Sequence, residues 1–356
     1  MTTVFTMSQP PPHRGQAVKL ASDKHALRKL VAEANLAPSL YNTQPARWRF
    51  SPDGTVQVYE DLSRRLQVAD PTGRLAHMAV GAAFEGLNIA LSKTGLSLQV
   101  LRLSPPGKEP DGDSLCLRLV ASGLITQGAV RDALAAYVYE RHTFRGEFEP
   151  VNPEARDALA GLMRHVGDVI AIVESAEIHD IAREYQQYRE ELKQRSGYQA
   201  EFYRWMSWTQ REASRRHDGL NIRDMAPPRL PRFISSPPLR SLARTALESL
   251  GVVPQMYNET RSIASASAIG VLTGPRNEDA FVSGQRFYRV WLEMCRAGYA
   301  LCPMVAATDT AGGLLAMRNR FKIPDDRQIT SMFRVGKVGA GTACHRQRLP
   351  ARELLV

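Results

Sequence analysis

Ala37-Pro38-Ser39-Leu40-Tyr41-Asn42-Thr43-Gln44-Pro45, running on to Trp48, has the chemistry of a ligand-contacting loop. Pro38 and Pro45 restrict the backbone at both ends, and the residue before each is pushed toward extended geometry. Between them Ser39, Asn42, Thr43 and Gln44 carry donors and acceptors together. Leu27, Leu30, Val31 and Ala34 recur at helical spacing ahead of the loop. A strand-like alternation over 48–59 follows it, broken by a Pro52-Asp53-Gly54 turn. A polar loop held between a helix end and a strand can aim amides at a flat heteroaromatic ring. The same residues equally suit a turn with an Asx cap.

The 356-residue chain is long enough for two domain-sized units. Its composition, 44% hydrophobic and 23% charged, is that of a globular protein. It has no run of 18 apolar residues, so no spanning helix is expected. Residues 1–18 are polar and Pro-rich without the apolar core of a secretory signal, which reads as a disordered lead-in to a cytoplasmic protein. A net charge of +10 permits anionic partners without choosing among nucleic acid, a membrane surface and a phosphorylated small molecule. Cys116, Cys295, Cys302 and Cys344 form no C-x-x-C and read as free thiols. The histidines form no ligand-spaced cluster, so no metal is expected.

A helix, the loop, a strand pair, an apolar helix over 75–94, and strands over 96–103 and 115–120 suggest an α+β first lobe, residues 19–129. Gly81, Phe84, Leu87, Leu91 and Gly95 recur at identical spacing as Gly284, Phe287, Val290, Met294 and Gly298. Two helices with the same apolar face and the same closing glycine point to internal duplication, in which one chain mimics a dimer. Two buried helices could also match this way by chance.

The second lobe, 130–356, opens with a helix over 130–140 and then Arg141-His142-Thr143-Phe144-Arg145. Two guanidiniums and a hydroxyl within five residues make a compact anion grip, or a basic helix end meeting its own dipole. A helix over 153–163 and strands over 166–173, 267–273 and 331–338 continue the α+β pattern, with the second repeat helix at 279–296. Between them lies an insert over 176–238 rich in Tyr, Trp, Arg and Glu, with Phe202, Trp205, Met206 and Trp208 at helical spacing. It reads as a helical hairpin on the core or as a lid over a pocket. Interleaved Arg and aromatics can stack nucleic-acid bases, but Glu184, Glu190, Glu191, Glu201 and Glu212 offset the charge and no RNA-binding motif occurs. Gly336, Gly339 and Gly341 follow a strand with only fifteen residues left, too few for a phosphate-loop unit. Arg346 and Arg348, two apart in an extended segment, point the same way and can share a phosphate, or simply form a basic tail.

Residues 37–48 resemble the APS-x-x-N-x-QPW signature of the nitroreductase-like flavoprotein family, with Ala46-Arg47-Trp48 where that family more often has Trp directly after Pro. The long single-chain Acg-like branch is the nearest match. The resemblance implies a nitroreductase-like fold, here an internally duplicated single-chain pseudo-dimer with antiparallel-rich sheets, central helices and a helical lid insert. It implies FMN as cofactor and NAD(P)H as possible reductant. It also places Pro38, Ser39, Asn42, Gln44 and Arg47 at the flavin, and Arg141, His142, Thr143 and Arg145 at the phosphate and flavin edge. In the family, a backbone amide just past a proline faces flavin N5, which maps to Pro303, Met304 and Val305. Arg346 and Arg348 match its closing basic-x-Arg-Leu-Pro element.

The expected function is then hydride transfer from NAD(P)H to a nitroaromatic, quinone or other planar acceptor, with no side chain required as acid or base. The alternatives are a flavin storage or sequestration protein and a specialised biosynthetic flavin dehydrogenase. The expected partner is a small planar aromatic, without nucleic acid or membrane, in a monomeric pseudo-dimer or a homodimer.

Overall fold

The computed structural model describes residues 20, 23–104, 116–225, 259–339 and 346–356. The expected lead-in, Cys344, most of the 104–113 loop, the Pro-rich end of the insert and the 341–342 glycine segment lie outside the described residues.

Helix α1 (Lys24–Ala34) is capped by the Asp23 carboxylate and buries Leu27, Val31 and Ala34. β1 (Ala46–Phe50) and β2 (Thr55–Asp61) form the strand pair after the signature loop. Helix α2 (Arg74–Ser92) is buried along nearly all its length. β3 (Leu96–Leu103) and β4 (Leu117–Gln127) complete an antiparallel sheet of order β1-β2-β4-β3. β4 begins later and runs longer than the strand expected at 115–120, because it pairs with both β2 and β3.

The second half repeats this plan. α3 (Pro153–Val166) leads into β5 (Val169–Ile172). After the insert come α7 (Glu259–Ala264), β8 (Ala268–Pro275), α8 (Ala280–Arg296), β9 (Ala300–Pro303) and β10 (Arg327–Gly336). Their sheet is antiparallel with order β5-β8-β10-β9, the same arrangement of first, second, fourth and third principal strands. β10 starts before the expected 331, since its register with β8 extends to Arg327.

The two long helices α2 and α8 cross at their glycines. A Cβ on Gly81 would lie 1.9 Å from the Phe281 carbonyl oxygen, and one on Gly284 would lie 1.9 Å from that of Met78. The contact is reciprocal, each glycine meeting the residue three positions before the other. Both helices stop at a left-handed glycine, Gly95 at φ 75° and Gly298 at φ 74°. By length and composition α2 could cross a membrane, but 89% of it is buried inside the protein.

The halves exchange segments. Phe281, Tyr288 and Leu292 of α8 pack in the first core with Leu349 and Leu354 of the tail, while Met78 of α2 packs in a second-half core. The tail adds to the first sheet: Trp48 N–H donates to Leu354 O at 2.8 Å, and Val356 N–H to Trp48 O at 2.9 Å. Within the second half Thr143 bridges to Leu301 of β9 and Glu149 to Lys337. Leu134, Ala135 and Val138 still belong to the first core, so the chain passes between halves after them.

Two expected helices are corrected. Over 130–140 there is only a 3-10 turn, Ala133–Ala136, capped by Asp132. The Asp132 backbone is held by Ser92 Oγ and its carboxylate by Arg289, which sets where the turn begins. Within the insert, α4 (Ser175–Lys193) and α5 (Tyr198–Arg204) are helical, but the Phe202–Trp208 pattern breaks. β6 (Met206–Ser207) pairs in parallel with β7 (Leu220–Asn221), around α6 (Gln210–Arg216). Thr209 caps α6 by accepting from Glu212 N–H, and Glu212 accepts from Trp208 N–H, a capping-box arrangement that starts a new helix.

Candidate functional site

The signature loop is conformationally strained. Tyr41, Asn42 and Gln44 have positive φ, 49°, 55° and 52°, a region that non-glycine residues seldom occupy. Side-chain bonds hold it there. Ser39 Oγ accepts from Gln44 N–H at 2.9 Å. Gln44 Oε1 accepts from Asn35 Nδ2 and from Leu349 N–H, both at 2.8 Å. Its amide nitrogen donates to Asn42 O and to His217 O. Asn42 Nδ2 reaches Gly219 O and Gln347 O, at 3.3 and 3.2 Å. These amides therefore knit the loop to the tail and the insert. Pro38 follows the buried Ala37. Arg47 lies buried on β1, bonded to Gln44 O, Ala46 O and, at 2.7 Å, Asp61, so its donors serve the loop and the strand pair. Trp48 is wholly buried and stacks on Phe84, at 6.4 Å and 24°.

Three of the four expected phosphate arginines meet beside this loop. Arg141 Nη2 and Arg348 Nη2 both donate to Leu36 O, at 2.8 and 3.1 Å. Arg346 Nη2 donates to Arg141 O at 3.1 Å. Arg141 is buried with its guanidinium 4.6 Å from the Trp291 ring centre. Arg348 also bonds Asn35 O, Asn42 Oδ1 and Gln347 O. Four of its donor bonds thus run to neutral oxygens, so it brings charge to the cluster more than spare donors. Arg346 and Arg348 do not act as parallel prongs, as the extended spacing suggested; the first braces Arg141 and the second clasps the loop.

Sequence reasoning missed Tyr288. It lies on α8 with 0% exposure, and its hydroxyl has no hydrogen-bond partner among the described residues. The charges of Arg141, Arg348 and Arg346 bear on that oxygen. A helical-face reading assigns such a tyrosine to the core, and nothing local marks it otherwise. Arg141 lies on the ring of Trp291, three residues after Tyr288 on the same helix, and a cationic donor near an orphaned buried phenol suits a phosphate-like anion.

The remaining predicted residues lie along β9. Thr143 bridges to Leu301, and Phe144 N–H donates to Leu301 O at 3.2 Å. Arg145 is half-buried on the turn that follows, next to Gly146, whose carbonyl accepts from Arg334. His142 Nδ1 lies 3.0 Å from Glu140 O, and its buried Nε2 has no partner among the described residues. Met304 N–H is taken by Met332 O at 2.7 Å, which leaves the adjacent Val305 amide outside the β9–β10 ladder. Val305 sits at the N-terminal flank of α9 (Ala306–Asp309), two residues after Pro303.

The insert contacts both groups. Its Tyr185 hydroxyl accepts from Ala306 N–H at 3.3 Å. Tyr198 and Tyr41 join hydroxyl to hydroxyl at 2.9 Å. Glu201 accepts from Val68 and Ala69 N–H, and Arg64 pairs with Asp218 at 2.8 Å. Cys295 and Cys302 are free thiols, as is Cys116.

Fold and site together define an α+β protein in which two like sheets meet over crossed central helices, with an arginine cluster of the second half seated on the Leu36 carbonyl of the first. Over its matched segments the chain is similar to proteins described as putative NAD(P)H nitroreductases. It is 30% identical over 124 residues to "Putative NAD(P)H nitroreductase Rv3131" of Mycobacterium tuberculosis, covering 35% of this chain and 34% of that protein. It is 35% identical over 80 residues to "Putative NAD(P)H nitroreductase acg" of the same organism, covering 22% and 24%. The chain thus spans about a third of the first relative's length and a quarter of the second's. No protein-family model matches. Among solved structures, the FMN and NADPH-dependent nitroreductase NfnB from sphigopyxis sp. strain HMH aligns at 13% identity and TM-score 0.37, over 63% of this chain and 97% of that one. The FMN-dependent nitroreductase NfnB from Mycobacterium smegmatis aligns at 15% and 0.35, over 61% and 94%.

Proposed function

We propose that the chain is an FMN-dependent NAD(P)H oxidoreductase acting on a nitroaromatic, quinone or other planar acceptor. The observation that carries this is the meeting of Arg141 and Arg348 on Leu36 O, with Arg346 on Arg141 O, beside the strained signature loop. Arg141 and Arg346, with Arg348 and Arg145, would hold the phosphate. Pro38, Ser39, Asn42 and Gln44 would edge the ring from the first half, with Arg47 behind them. Thr143, His142, Pro303, Met304 and Val305 would edge it from the second. Bound FMN would supply the hydride chemistry. The chain's own part is to orient, to exclude water beneath the insert, and to offer the Val305 N–H as a donor that does not titrate.

The repeated sheet order and the reciprocal glycine crossing support an origin by duplication, giving a single-chain pseudo-dimer with lobes 19–129 and 130–356 and a lid at 176–238. We place it in the cytoplasm, without nucleic-acid or membrane partners.

The test is the absorbance of purified protein followed by anaerobic mixing with NADPH and NADH. The expected result is a flavin spectrum that bleaches promptly. A colourless protein that does not take up FMN would overturn the proposal.

A second reading, flavin storage or sequestration, is favoured by the number of bonds closing the insert on the loop. Its signature is a yellow protein that neither nucleotide bleaches. A specialised biosynthetic dehydrogenase would instead respond with a single acceptor.

A further inference from the structure

We propose that the Tyr288 hydroxyl is a ligand of the nucleotide's phosphate, donating to it from the floor of the arginine cluster. This rests on the flavin reading above and adds to it a residue that the signature segments do not contain.

The tyrosine is fully buried, and its ring packs in the first core with Leu36, Ala37 and Leu349. Its hydroxyl is left unpaired among the described residues. Phenylalanine would fill nearly the same space without an unpaired polar atom, whose burial is costly. The neighbourhood is short of acceptors for the phenolic proton. Guanidiniums only donate. The carbonyls of Leu36, Asn35 and Arg141 already accept from Arg141, Arg348 and Arg346. Glu33 also acts on this hydroxyl, but its carboxylate is engaged by Lys93 and Tyr139. Burial, opposed by the arginines, pushes the phenol up to about 12, so it stays protonated and available as a donor at neutral pH. A phosphate oxygen would accept from Tyr288 while meeting the positive charge of the three arginines.

The opposite side of the crossing is different. Glu85 stands four residues after Gly81, as Tyr288 stands four after Gly284. Its buried carboxylate pairs with Arg289 at 2.7 Å. There the protein supplies its own anion; at Tyr288 the corresponding place is taken by a donor.

The experiment titrates flavin-free protein and Tyr288→Phe with FMN and with riboflavin, followed by flavin fluorescence, and measures thermal midpoints with and without inorganic phosphate. Losing a hydrogen bond to a charged group should raise the FMN Kd of Tyr288→Phe about tenfold. Riboflavin affinity should change less than about twofold, since it lacks the phosphate. The flavin-free variant should melt at the same temperature or higher, and phosphate should raise its midpoint less than it raises that of the unaltered protein. Equal FMN affinity in both proteins overturns the role of Tyr288 and leaves the flavin reading standing. So does an equal loss for FMN and riboflavin, which would mean the ring acts by packing. Failure of the unaltered protein to bind FMN overturns both.

Discussion

Gln44 concentrates the residue-scale lesson. Its amide accepts from Asn35 and Leu349 and donates to Asn42 and His217, tying the end of α1, the insert and the tail to a loop of unfavourable φ. Gln44→Ala should cost about 2–4 kcal/mol, since several buried partners lose their bonds at once; urea unfolding measures it, and a loss under about 0.5 kcal/mol would show that the loop holds itself. Asp70 offers a pH test. Its carboxylate accepts from Ala76 N–H at 2.9 Å, at the start of α2. Burial, the largest influence, raises it from 3.8 to about 6 against the pull of the Ala76 and Leu75 amides. Because the folded value is the higher one, its stabilising contribution is full below about pH 4 and is lost as pH rises through about 6. Asp70→Asn should therefore flatten the fall of thermal midpoint between those pH values, and identical slopes would refute the assignment. The motif residues Ser39, Asn42 and Gln44 were legible because Pro brackets and polar density mark a loop locally. That their amides bond the tail and the insert was not, since those partners lie up to 305 residues away.

At the scale of elements, the α2–α8 crossing organises the molecule. Gly81→Ala puts a methyl group where the Phe281 carbonyl sits, 1.9 Å away, and backbone cannot yield as a side chain can. The helices would have to separate, at a cost of about 3 kcal/mol or more. Gly161→Ala, on α3 with nothing within 4 Å of its Cβ, is the matched control and should leave the melting curve nearly unchanged. The insert is the other decisive element. Arg64→Ala removes the Arg64–Asp218 pair while leaving Asp218 its bond to Arg216. If the closed insert limits access, reduction by NADPH should quicken about tenfold, the equivalent of one hydrogen bond to a charged group. Stopped-flow bleaching reads this directly, and an unchanged rate assigns the limit elsewhere. The repeat helices were visible in the glycine and apolar spacing. The break after α5 was visible only as Thr209-Gln210-Arg211-Glu212, a helix start that apolar periodicity overrode.

For the whole molecule, the exchange of segments matters most. The tail that follows the second sheet docks on β1 of the first and carries Arg346 and Arg348 to Arg141. All three arginines belong to the second lobe, and the first supplies Leu36 O, the carbonyl on which two of them meet. Arg346→Ala removes one described bond, from a half-buried side chain, so the flavin-free protein should keep its melting temperature. Its FMN affinity should fall about tenfold, the loss of one charge-assisted contact. Equilibrium dialysis measures that, and unchanged affinity would place the phosphate away from the tail.

Alternation, helical period and capping residues acted over a few positions, so sequence by itself located β1 to β5, β8 and β10, the two long helices, their glycine stops and the α+β class. Convergence belongs to the tertiary structure. Which arginine braces and which clasps, and that a core-facing tyrosine ends among them, depends on a tail crossing to the other half. The physical reason is that hydrogen bonds and charge act over a few ångströms of space, and only the docking of the tail on the first half brings residues 36, 141 and 348 within that range.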